Sequence, residues 1–483
     1  MDCLIDESDQ GTDMSLTRKA LGWVITGCAL LTCLMQAGCL SANPVPDRTR
    51  TAELTDGRTG SDRKTRTLWN QDVADVSDAW DGITPLSIQT AITVALQNDP
   101  DLRLELARVA EARADLAQSS LPPNPVLGFG IGAAIDAGGG TPAMIEVMQQ
   151  LTWLWTMSDR IDVQDQRLAS TILSAAHRTV ERATAVRAAF ARAVAARDLI
   201  EIETAYIRTT SGTFDLVGAL AGVGESPRVD VDRALIDHRS AEADRRDAVR
   251  ALRNRKIELL RLMGWPDQST EWALEGTLEG TRRNAVPDEG ETVARALTVR
   301  LDIAAGRRDI DAAEAEARLA GLSRIPEVGV GLGWRRFVSD RQIVQPGMTV
   351  SIPVLDDGHA RIARASARLE AAHLGLAILE ENVVEEVRLS LNEWLQAREQ
   401  VEAYDIGLVS SAREVVRRSE SAFKAGSVNA TELLLTQRRL ITLERRLLME
   451  RLAADLAWIR LEHAVGGSFD LPLEAPVVHV EKN

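Results

Sequence analysis

The spacing of apolar positions changes period several times along the chain, and each change marks a different element. From about Ser87 to Ser119, and again from about Glu291 to Leu322, apolar residues recur at helical spacing and predict a helix. Each helix is followed by strict alternation, PVLGFGIG from Pro125 and PEVGVGLGW from Pro326, which predicts a strand. After a Gly-rich or polar turn a second extended segment returns, IEVMQQLTW from Ile145 and MTVSIPVL from Met348, so both pairs read as hairpins. Leu127, Phe129 and Ile131 share one face, repeated as Val328, Val330, Leu332 and Trp334. Glycines occupy the other face, at 128, 130 and 132 and again at 329, 331 and 333. Such alternation suits a strand with lipid or core on one side and a crowded or watery lumen on the other. In the second return strand Met348, Val350, Ile352 and Val354 take the apolar face against Thr349, Ser351 and Pro353, whereas Gln149 breaks the pattern at the matching place in the first. Trp153, Trp155 and Trp334 are expected at strand ends, where an interfacial aromatic belt would sit.

Two long helical stretches then close each half. No proline falls between Pro142 and Pro227, or between Pro353 and Pro472, which leaves room for unusually long helices. Val384, Val387, Leu391, Trp394 and Val401 step along one face, and Leu433, Leu440 and Leu447 step by sevens, as in coiled-coil seams. The breaks at GVGESPRVD from Gly222 and KAGSVNATE from Lys424 predict tight reversals between antiparallel helices. A helix from Ser158 to Ala221 would span on the order of 90 Å at about 1.5 Å per residue.

The two halves are copies. An offset of 201 carries Leu96 onto Leu297, Asp101 onto Asp302, Pro125 onto Pro326, Gly128 onto Gly329, Arg160-Ile161 onto Arg361-Ile362 and Ala196-Arg197 onto Ala397-Arg398. An offset of 202 then carries Gly224 onto Gly426 and Gly264 onto Gly466. The chain is a tandem duplication of a unit of about 200 residues. We place the first unit at 85–266 and the second at 288–467, preceded by a polar tether at 39–84 and followed by a C-terminal tail at 468–483.

Composition narrows the partners. Aromatics make up 4% and charged residues 26%, which is lean for several compact cores and favours long helices with narrow apolar stripes. A net charge of -15 without clustered Lys and Arg argues against nucleic acid. All four cysteines, Cys3, Cys28, Cys33 and Cys39, lie near the N-terminus, so processing after residue 38 leaves one thiol and no disulfide framework. Arg18 and Lys19 precede an apolar run from Leu21 to Ala37 that reads as a signal peptide over 1–38, with Met14 as an alternative start. MQAGC resembles a lipobox, which would place a diacylglyceryl anchor on Cys39, although Gln36 stands where an aliphatic residue is usual. An ordinary signal peptide, an uncleaved anchor and lipidation at Cys33 remain alternatives.

No catalytic constellation is visible. His177, His238, His359, His373, His463 and His479 form neither HxxxH nor HxH, and Gly-x-Ser-x-Gly and P-loop patterns are absent, so no enzyme activity, metal centre or cofactor is expected. The Gly-rich segments lead into strands and offer no helix N-terminus to a phosphate. Four strands cannot close a barrel through a bilayer, because open edges in hydrocarbon leave backbone groups unpaired, whereas three copies would supply twelve strands. The alternative on pattern alone is a coiled-coil protein without a pore, its strands forming a small sheet that caps the bundle.

Three segments in this order resemble the TolC-like outer-membrane efflux proteins, which include the lipid-anchored channels of drug and heavy-metal pumps. They are LSIQTAITVALQNDPDLRLELARVAEARADLAQSSLPPNPVLGFG, IPVLDDGHARIARASARLEAA and FKAGSVNATELLLTQRRL, within a resemblance covering roughly Leu86 to Gly467. The resemblance implies a mainly α trimer in which long antiparallel hairpins build an α-barrel in the periplasm and four strands per chain contribute to a twelve-stranded transmembrane β-barrel. It also implies a periplasmic adaptor docked at the hairpin tips, here the turns at Gly224 and Gly426, and an inner-membrane pump of RND or ABC type. Asp230, Asp232 and Glu432, just beyond the tips, are candidate acids for a ring at a periplasmic aperture, although a solvated helix start is the plainer reading. A periplasmic adaptor of the same pumps is a further alternative, opposed by the duplication.

Overall fold

The computed structural model describes residues 41–60, 80–133, 141–278, 286–339, 341–469 and 475–478. Cys39 and the signal segment lie outside them. A short helix, α1 (Val45–Thr55), precedes the first unit, which runs α2 (Ile88–Asn98), α3 (Pro100–Ser119), β1 (Val126–Ile131), β2 (Ala143–Gln150), α4 (Trp153–Gly222) and α5 (Arg228–Leu262). The second unit repeats the order as α6 (Glu289–Val299), α7 (Leu301–Gly321), β3 (Val328–Arg336), β4 (Gln342–Val350), α8 (His359–Glu402), α9 (Ser410–Lys424) and α10 (Ala430–Ala464). At 70 residues α4 extends on the order of 100 Å.

The first expected helix of each unit is in fact two. Proline at position 100 has no N–H to donate and forces the residue before it out of the helical region, so Asp99 is extended and its carboxylate caps Asp101 N. In the second unit the same break falls at Arg300 without a proline, and its cause is tertiary. Arg300 Nη1 reaches the Ala464 carbonyl at the end of α10 (2.9 Å), so α7 starts where α10 stops. The first unit is built alike, with Gly264 at the end of α5 closed against the backbone of Asn98 and Asp99.

The duplication also explains a π turn at Ala403–Val409, where α8 passes into α9. The offset between the copies grows from 201 at Arg398 to 202 at Gly426, and the extra residue falls in a stretch that α4 crosses as uninterrupted α-helix. A π turn absorbs one inserted residue without unwinding the helix around it.

Small residues fill the helix seams. In α4 the buried positions include Ala169, Ala176, Ala183 and Ala193, whereas α8 buries Val383, Val387, Leu391, Trp394 and Val401, so Val383 takes the seam place expected for Val384. Trp394 is wholly buried, its ring 5.0 Å from that of Trp458. The segment expected as a polar tether contains α1, docked on α3 and α4 with Asp47, Thr51, Ala52 and Thr55 buried. Arg113 of α3 holds Asp47 in a buried pair, and Arg58 donates to the Val299 and Gly466 carbonyls at 2.7 and 3.1 Å. Burial, with Arg295 nearby, pushes the Arg58 guanidinium down to about 10, so it stays charged at neutral pH.

Candidate functional site

The four strands form one antiparallel sheet in the order β1-β2-β3-β4. Its registers align the apolar positions into a continuous face, with Phe129 opposite Ile145, Ile145 opposite Trp334 and Trp334 opposite Val344. That face is bare in the single chain: Phe129 is 80% exposed and Met348 70%. The reverse face is floored by glycine, and the side chains of β2 lie across it. A Cβ at Gly128 would stand 2.9 Å from Glu146 Cγ, and one at Gly331 would collide with Met148 Sδ. The glycines therefore make room for Glu146 and Met148 on that face. Gln149, the break in the alternation, is buried at the foot of β2 and donates through Nε2 to the Pro123 carbonyl (2.9 Å), fixing the link from α3 into the sheet.

Of the three tryptophans, Trp334 is on the apolar face of β3 and donates to Gln342 Oε1 (3.3 Å). Trp153 and Trp155 are not at the end of a strand but in the first turn of α4. The ladder closes with Leu151 N–H on the Val328 carbonyl (2.7 Å), and Leu154 N–H then turns back to Leu151, starting the helix.

At the opposite end of the long helices, Gly224 and Gly426 are left-handed and close equivalent turns. Glu225 N–H donates to the Leu220 carbonyl and Ser427 N–H to the Ala422 carbonyl, so both helices end in a Schellman turn. The three acids beyond them have different fates. Asp232 and Glu432 are exposed, the latter in the first turn of α10, where Asn429 caps its N–H. Asp230 is buried and its carboxylate is engaged by Arg233 and Thr431 within the chain. Farther from the tips, Asp237 pairs with Arg438, and Arg445 with both Glu203 and Asp244. These contacts tie the second hairpin to the first.

Sequence reasoning missed a charged cluster where α4, α7, α8 and α10 meet. Arg300 there grips Asp302 and Glu386, both at 2.7 Å, and Arg187 engages the buried Glu462. The His177 and His463 rings are 6.0 Å apart, and His177 faces Glu181 at 3.4 Å. An open groove of about 400 Å³ beside them is lined by His177, Glu181, Asp302, Asp309 and Leu376. No signal in the sequence joins these positions, which are up to 286 residues apart; the duplication repeats Asp302 as Asp101 and Arg187 as Arg388, but not His177, Arg300, Glu386 or His463. Burial holds the His463 imidazole below its ordinary range; Glu386 opposes, His177 and Arg300 add to the depression, and Glu181 opposes. The fold therefore prefers neutral His463, and its contribution to stability is complete above the unfolded value of about 6.5 and is lost as pH falls below it. Unfolding midpoints measured between about pH 7.5 and 5 should fall on acidification, and His463→Leu should flatten the profile. An unchanged slope in that variant would refute the assignment to His463.

Among the described residues no group of His, Cys, Asp and Glu is arranged to hold a metal ion, and no helix is long and apolar enough to cross a membrane.

Residues 292–467 match the family model described as outer membrane efflux protein. No curated protein matches the chain significantly. Solved structures with the same fold include CusC, at TM-score 0.68 and 18% identity over 79% of this chain and 92% of that one. The outer-membrane channel OprN gives 0.68 and 17% over 79% and 90%. The outer membrane protein VceC of Vibrio cholerae gives 0.66 and 17% over 79% and 96%. Residues 292–467 are thus similar to the outer membrane efflux proteins, and the chain as a whole has the fold of these solved outer-membrane channels.

Proposed function

We propose that this protein is the outer-membrane channel of a tripartite efflux system, a passive, gated duct that carries small molecules or metal ions handed over by a pump. The observation that carries the reading is the sheet. It has one apolar face, one glycine-floored face and two open edges, and it stands at the end of helices on the order of 100 Å long. Open edges cannot face hydrocarbon, so insertion requires closure by further copies, and three copies give twelve strands, an even number within the range of such barrels. The matched family segment and the shared fold support the same assignment.

In this reading Trp334 is at one lipid interface and Trp153 and Trp155 at the other, with the helices in the periplasm. A diacylglyceryl group on Cys39 adds an anchor to outer-membrane lipid. The turns at Gly224 and Gly426 receive a periplasmic adaptor, and an inner-membrane pump of RND or ABC type supplies the energy. Asp232 and Glu432 are exposed acids beside the tips and line the aperture, while Asp230 serves packing. The duct itself needs no cofactor.

The test is the native mass of the detergent-extracted protein together with its membrane fraction. A trimer in the outer-membrane fraction is expected. A stable monomer or dimer, from which no barrel can close, would replace the channel with a pore-free scaffold.

A further inference from the structure

The foot of β4 ends early. Ser351–Val354 continues its alternation, yet in the single chain the strand stops at Val350, and Ile352 and Val354 are 76% and 83% exposed. Its counterpart β2 runs farther. β1 accompanies β2 only to Met148, and β3 carries it on, pairing Gln149 with Val330 and Gln150 with Gly329 before Leu151 N–H closes the ladder on Val328. What β4 lacks is the strand that β3 supplies to β2.

The duplication specifies that strand. Leu127 opposite Val147 corresponds to Val328 opposite Val350, so β1 maps onto β3 with an offset of 201 and β2 onto β4 with an offset of 203. Gln149, Gln150 and Leu151 then correspond to Ile352, Pro353 and Val354, and the strand equivalent to β3 is β1, whose outer edge is open. We propose that Ser351–Val354 becomes strand against β1 of a second copy of this chain, with Ile352 opposite the partner's Phe129, Pro353 opposite the partner's Gly128 and Val354 opposite the partner's Leu127. The proposal rests on the trimeric channel reading and adds the register by which its barrel closes.

Three further observations agree with this register. Ser351 N–H points inward, to the Glu327 carbonyl (2.9 Å), so by alternation the N–H groups of Ile352 and Val354 face the open edge and the missing one of Pro353 does not. Val354 N–H, which in the single chain turns back to the Ile352 carbonyl (2.9 Å), is in the place from which Leu151 donates to Val328. Ile352 and Phe129 also belong to the same apolar face, whereas a slip of one residue would set Ile352 against a glycine of the inner face.

The test is disulfide trapping in the full-length protein, in membranes, with single-cysteine variants as controls for Cys39. Phe129→Cys with Ile352→Cys should give a covalent trimer on mild oxidation, because directly opposed Cα atoms are about 5.5 Å apart in such a pair. The link cannot form within one chain, where β1 and β4 are three strand spacings, about 14 Å, apart. Phe129→Cys with Val350→Cys or Val354→Cys, two-residue slips that keep the face, should give several-fold less. Gly130→Cys with Ser351→Cys probes the same register from the inner face and should also link. Preferential linking of a slipped pair, or no linking in any pair by a protein whose native mass is a trimer, would overturn the register and leave the channel reading standing. A monomeric native mass would overturn both.

Discussion

Arg113→Ala should destabilise the full-length protein by about 3–5 kcal/mol, read as a large drop in its unfolding midpoint. Arg113 and Asp47 are both almost wholly buried, with Arg113 Nε 2.5 Å from Asp47 Oδ2 and a second contact through Nη2. Removing the guanidinium leaves the buried Asp47 carboxylate without the cation that the structure pairs with it. The cost comes from that orphaned charge more than from the pair itself, so Asp47→Leu combined with Arg113→Met should recover most of the loss. Arg113→Ala should also release α1, whose first turn carries the buried Asp47, and protease cleavage around residue 45 should become faster. A midpoint within about 0.5 kcal/mol of the parent would show that α1 is not held by this pair.

Three glycine substitutions should be graded by what surrounds them, with Gly264→Ala the most severe. Gly264 has φ +72°, and a Cβ there would be 2.7 Å from the carbonyl carbon and oxygen of Asn98, which are backbone and cannot swing away. The left-handed conformation costs an L-residue about 1–2 kcal/mol, and forcing the helix ends apart adds roughly 1–3 kcal/mol. Gly466→Ala, at φ +87°, meets Arg300 Cγ at 3.2 Å and Arg300 Cα at 3.4 Å, contacts longer than those at 264, and should cost less. At the tip, Gly224→Ala has φ +82° but nothing within 4 Å, so only the conformational part of about 1–2 kcal/mol remains. Equal effects at 264 and 224 would mean that the junction of α5 with the α2–α3 break is not close-packed.

The legible part of the candidate site is the part encoded by alternation. Leu127, Phe129 and Ile131 against glycines at 128, 130 and 132 were enough to predict a two-faced hairpin, and the registers place those faces as expected. The end of β4 was not legible in the single chain. The sequence continues the pattern to Val354, but a strand exists only where a neighbour accepts its N–H groups, and within one chain that neighbour is absent beyond Val350. Asp230 shows the same limit: its position beside the tip is readable, whereas its burial against Thr431, 201 residues away, is not.

By itself the sequence determined the duplication, the hairpins, the glycine-closed tips and the one-residue change of offset between the copies, because each is a pattern of neighbours along the chain. Tertiary structure alone decided where that extra residue is absorbed, why the helix breaks at Arg300, that the segment around Val45–Thr55 docks through Asp47, and that His177 and His463 meet. Each of these depends on which helix ends abut and which charges lose their water together. Those contacts join residues far apart in the chain, and local periodicity carries no information about them.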